Sequence, residues 1–164
     1  MNVELLTTVK RIILQRPDRF CAAQWAFARN ARAVLDQAAV PHGFKCCIAG
    51  HALLEAGVCS EATLLRRGGF HSGDHLWQHA GTVLGLTDDQ RDELFFPSQW
   101  DKPHKQNYYL CAQDEEAEVA ATYIDYFVAK HDPAAPRRDR PDRPAHYREP
   151  SATRVGMTET APAE

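Results

Sequence analysis

Over its first 131 positions the chain alternates short apolar runs at helical spacing with residues that cap or break helices. Leu5, Leu6, Val9, Ile12 and Ile13 recur with a period of about 3.6 residues behind Asn2, a good N-cap, and Pro17 stops the run. A second helix is predicted over Ala22 to Ala39, with Trp25, Ala28, Leu35 and Ala39 turned inward, and Pro41 and Gly43 break it. A third runs from about Cys47 to Ala56, where Gly57 suits a left-handed C-cap. Ser60 caps a short fourth helix through Leu64 and Leu65 that ends at Gly68 and Gly69. Ser72 or Asp74 opens a fifth, with Leu76, Trp77, Ala80, Val83 and Leu84 inward and Gly85 at its end.

Thr87 and Gln90 have the spacing of a capping box for a sixth helix that reaches Leu94, Phe95 and Phe96 and closes at Pro97. A polar, aromatic loop follows, with Trp100, Pro103, His104, Tyr108 and Tyr109. The last helix is marked by Asp114, Glu115 and Glu116 at its N-terminal side and Lys130 and His131 at its C-terminal side, which match the helix dipole. Val119, Tyr123, Ile124 and Phe127 form its apolar stripe. No hairpin signature is present; only Gly68 to His71 is compatible with a short ribbon. The expected fold is mostly α: one domain over residues 1–131, a small irregular bundle of six or seven helices.

Composition changes this picture at one place. Residues 132–164 carry six of the ten prolines, mixed charges and almost no large apolar side chains, the composition of a disordered tail. Over the whole chain, 44% hydrophobic and 25% charged residues are ordinary for a globular protein. The net charge of −3 argues against broad attraction to nucleic acid or to an anionic membrane. The Gly85-Leu86-Thr87 turn resembles a helix-turn-helix connection, but the helix behind it carries Asp88, Asp89, Asp92 and Glu93, which would repel a phosphate backbone. No apolar stretch approaches the roughly 18 residues of a membrane span, and Glu4 stands where a signal peptide would be basic. Five cysteines, an odd number without framework spacing, read as reduced thiols in a cytoplasm.

Several residues taken in order resemble a known family. They are the helix ending at Pro17, then Trp25, then Cys47-Ile48-Ala49-Gly50, then Leu84-Gly85-Leu86-Thr87 and Leu94-Phe95. The chain is similar over roughly residues 3–110 to a family of small proteins from actinobacteria, other bacteria and their phages. The hallmark of that family is a Cys-Gly-Thr-x-x-Cys-x-Ala-Gly-Trp-like segment followed by Leu-Gly-Leu and Leu-Phe. The resemblance implies no particular reaction. His42 stands at the first Cys of that hallmark and His51 at its Trp, so a disulfide between positions 42 and 47 is ruled out. An excess of Arg (14) over Lys (5) and abundant Ala fit the coding bias of a high-GC bacterium or phage.

Chemistry concentrates at Cys46 and Cys47, which are expected together at a helix start, where unpaired amides favour a thiolate. Cys47, His51 and Glu55 are spaced by four and would share a helix face as nucleophile, base and orienting carboxylate. His42, His71, His75 or His104 are alternative bases from other elements. The competing reading makes Cys47 a small buried apolar side chain with His51 and Glu55 facing solvent. His75 and His79, also spaced by four, form a possible zinc pair that His42 and Cys46 (or Cys47, or Asp74) would complete. Trp100, Tyr108 and Tyr109, with Trp25, make an aromatic wall that serves either a protein partner or the core.

Three functions follow in order of preference. The first is a non-enzymatic cytoplasmic accessory protein of bacterial or phage origin that binds a protein partner and needs no cofactor. The second is a thiol hydrolase or transferase with Cys47 as nucleophile and a His base. The third is a structural zinc protein.

Overall fold

In a computed structural model, residues 1–23, 26–28, 44–71 and 74–132 are described. Among them are seven α-helices: α1 (Val3–Gln15), α2 (Ile48–Glu55), α3 (Glu61–Arg67), α4 (Leu76–Leu84), α5 (Asp88–Phe95), α6 (His104–Leu110) and α7 (Glu116–His131). Two short strands, β1 (Ala26–Ala28) and β2 (Phe44–Cys46), pair antiparallel with Ala26 opposite Cys46. The mostly helical expectation holds. The tail beyond residue 132, Trp25, and His42 with the rest of positions 29–43 lie outside the described residues.

Local signals set most helix ends. Asn2 Oδ1 accepts from the Leu5 amide at 3.0 Å, and Thr87 and Gln90 form both bonds of their capping box. Ser60 Oγ accepts from the Thr63 amide at 3.2 Å ahead of α3. Gly57 and Gly85 take positive φ, 70° and 61°, where helices α2 and α4 stop.

Three sequence expectations are corrected. The predicted helix from Ala22 cannot run unbroken to Ala39, because Ala26–Ala28 is a strand. Helical propensity loses there to pairing with β2, whose backbone groups find their partners in β1. The fifth predicted helix, now α4, begins only at Leu76, behind His75 in a left-handed conformation (φ 46°). The aromatic loop after Pro97 contains a short 3₁₀ turn (Pro97–Gln99) and then α6.

The core forms where α1 packs on α7, α2 and α4. Helix α1 contributes Leu6, Val9 and Ile13, and α7 contributes Ala117, Ala120, Ile124 and Phe127. Helix α2 is buried from Ile48 through Leu53, so it is the central helix rather than an amphipathic surface one. Trp100 stacks on Tyr123 with ring centroids 4.2 Å apart and donates its indole N–H to the Leu94 carbonyl at 3.2 Å. At the far end of α7, Lys130 bridges Glu93 (2.8 Å) and Asp101 (2.6 Å), and His131 meets Glu93 at 2.9 Å.

Phe127 is fully buried, so Phe127→Ala is expected to cost about 3–5 kcal/mol in a urea melt. Leu110 is 83% exposed, and Leu110→Ala should stay within about 0.5 kcal/mol of the parent.

Candidate functional site

The two adjacent thiols belong to different elements. Cys46 ends β2, and only Cys47 stands at the N-cap of α2, which corrects the expectation that both sit at the helix mouth. Both are buried. Burial pushes the Cys46 thiol well above its usual range. For Cys47 the anticipated helix-start effect is present: the amides of Gly50 and Ala49 pull its pKa down. Burial acts more strongly in the other direction, and the thiol stands at about 11.

His51 lies one turn into α2 and is only 6% exposed. Burial, the largest cause, lowers its pKa to about 4. A hydrogen bond to the Arg19 backbone opposes that shift, the Arg19 charge reinforces it, and Glu61 opposes it. Nε2 of His51 is buried with no hydrogen-bond partner in the protein. Glu55 is exposed at the end of α2. The spacing by four does put Cys47, His51 and Glu55 on one helix, but the gradient along it runs from fully buried to solvated.

His51 and Glu55 line a cleft of about 540 Å³ between the end of α1, the last turns of α2 and the start of α3. Arg16, Arg19, Cys59 and Glu61 also line it. Arg19 and Glu61 form an ion pair, and Ile12 and Leu54 supply apolar surface. Cys47 is not part of this lining; Cys59, half-buried after α2, is the thiol found there. Burial raises the Cys59 pKa and Arg67 opposes it.

Sequence reasoning missed Arg16, Arg19, Cys59 and Glu61. Pro17 was legible as a helix stop, yet nothing local says that the turn behind it folds back to meet α2 and α3. Glu116 was read as a dipole residue at the start of α7. It does open the first turn of α7, and it is also buried, accepting from the Ala22 amide at 2.9 Å and from the Tyr108 hydroxyl at 3.1 Å.

The other proposed side chains are dispersed. His71 Nε2 lies 3.2 Å from the Arg67 carbonyl, and His104 packs against Tyr126 (4.7 Å) and Tyr123 (5.5 Å). His75 and His79 are exposed, and His75 precedes the helix, so the two do not stand on one regular face. Among the described residues, no group of three or more His, Cys, Asp or Glu side chains could hold a metal ion. Of the aromatic trio, Trp100 is a core residue, which removes it from any binding surface. Tyr108 is half-buried, and Tyr109 is 60% exposed. No helix among the described residues is long and apolar enough to cross a membrane. The chain matches no protein-family model, no curated protein sequence and no solved structure.

Because the folded state holds His51 neutral down to about 4 while an unfolded chain protonates it near 6.5, the unfolded state binds more protons between those values. Stability should therefore fall as pH drops through that window, by on the order of 3 kcal/mol from this group. Denaturant melts of the parent and of His51→Gln across that range check it: the variant should show a shallower slope, with His104, also lowered by burial, supplying part of what remains. An equal slope in both would refute the assignment.

Proposed function

We propose that this protein is a non-enzymatic accessory protein that binds a partner protein, with the cleft between α1, α2 and α3 as its recognition surface. The observation that carries this reading is the condition of Cys47 and His51. Burial disfavours the charged form of both, which works against the resting thiolate with which covalent catalysis starts. The neighbouring cleft presents Arg16, Arg19, Glu55 and Glu61 around Ile12 and Leu54. That combination suits a partner segment carrying charges of both signs on an apolar stem. Five unbridged cysteines fit a cytoplasmic setting, and the family resemblance fits a bacterial or phage source. The thiol hydrolase or transferase reading draws on the Gly50 and Ala49 amides at the Cys47 sulfur, an effect that burial outweighs.

In the folded protein at neutral pH, iodoacetamide should modify Cys47 only at the rate of global unfolding. Rapid stoichiometric labelling of Cys47 without unfolding would overturn the non-enzymatic reading. Arg16→Glu and Glu55→Lys, both at exposed positions, should leave the melting temperature unchanged and abolish retention of a partner that the parent chain captures from its own host's lysate. A partner retained equally by both variants would show that the cleft is not its seat.

A further inference from the structure

Phe20 and Cys46 form an isolated parallel β-bridge, and the Cys21 amide donates to the Cys46 carbonyl at 3.3 Å. In a parallel pair, the residues one step beyond a bridged pair lie side by side and point to the same face, opposite to that of the bridged residues. That step places Cys21 beside Cys47. Cys47 is still extended there (φ −82°, ψ 179°), so the register carries through to it before α2 begins. Neighbouring strands lie about 4.7–4.9 Å apart, inside the Cα separation of about 4.4–6.8 Å that a disulfide accepts.

The electrostatic neighbours agree with this division of faces. The Cys47 thiol is raised first by burial and, more weakly, by Cys21. Cys46 is raised by burial, then by Cys47 itself, and more weakly by Cys59, and it packs with Leu64 and Cys59. Apart from each other, the two adjacent thiols have different neighbours. They also differ from their partners in access: Cys21 is half-buried and Cys47 buried.

We propose that Cys21 and Cys47 are a redox pair that closes to a disulfide when a small-molecule disulfide of the glutathione class acts as oxidant. Cys21 gives up its proton, and its sulfur attacks the oxidant. An S–S bond forms to one half of the oxidant while the other half leaves as a thiolate that takes up a proton. Cys47 then loses its proton, and its sulfur, faced by the Gly50 and Ala49 amides, attacks the Cys21 sulfur. The Cys21–Cys47 bond forms, and the second small thiol departs with a proton. The protein dithiol is oxidised by two electrons and the oxidant is reduced to two thiols.

The bond would tie the segment after the Pro17–Arg19 turn to the first turn of α2. It would thereby fix Arg19 and His51, two of the cleft's walls, relative to each other. The chemistry of the pair does not depend on the cleft's being a binding site.

The full chain, equilibrated with oxidised glutathione, quenched with N-ethylmaleimide and mapped by mass spectrometry, tests this directly. The expected product has lost two hydrogens, contains a Cys21–Cys47 cross-link and reverts with dithiothreitol. Cys21→Ser and Cys47→Ser should each abolish it, and Cys59→Ser should retain it. A glutathione adduct on Cys21 that never resolves, a Cys46–Cys47 or Cys46–Cys59 bridge in its place, or five intact thiols would each overturn the proposal. The map of the parent chain decides between these outcomes even if a variant fails to fold.

Discussion

The burial of α2 on nearly all sides is the constraint from which the rest of the structure follows. Ile48 through Leu53 sit at the meeting point of α1 and α4, and the loss of water there governs Cys47 and His51. A thiol at a helix start normally gains acidity from the free amides. Here the amides act on Cys47, yet low dielectric wins by the larger effect. The same burial drives His51 toward its neutral form. Packing, rather than the spacing of residues, thus sets the chemistry available at this helix.

The exposed end of α2 has a different character. Its last turn joins the end of α1 and the start of α3 around a cleft where charges of both signs remain in contact with water. The Arg19–Glu61 ion pair links the 3₁₀ turn to α3 across that cleft. On its other flank, the buried carboxylate of Glu116 holds Ala22 and Tyr108 and so ties the chain after Phe20 to α7. The turn behind Pro17 is thereby fixed from two sides. This fixing brings Phe20 alongside Cys46 and the Arg19 backbone against His51.

Where a structural feature depends on neighbours in sequence, it was legible. Asn2, the Thr87–Gln90 box, Gly57 and Gly85 mark helix ends because each cap closes within about one turn of chain. The apolar periodicities of α1 and α7 identify faces that are indeed buried at Leu6, Val9, Ile13, Ile124 and Phe127. The Ala-rich stretch from Ala22 misled because helix propensity is a weak local preference. A partner strand about 18 residues further on overrides it by satisfying backbone hydrogen bonds. The aromatic segment misled for a related reason. An indole near a polar run reads equally as surface or core, and Trp100 became core because Tyr123 of α7 lies under it.

Local capping and apolar periodicity by themselves determined that this protein is a helical bundle and where most of its helices stop, because those interactions operate within a few residues. Tertiary structure alone decided that Cys46 and Cys47 face different neighbours, that Cys47 and His51 are desolvated, and that a charged cleft with Cys59 rather than Cys47 on its wall forms beside them. Desolvation and charge pairing depend on which distant segments are brought together, and no spacing along the chain encodes that.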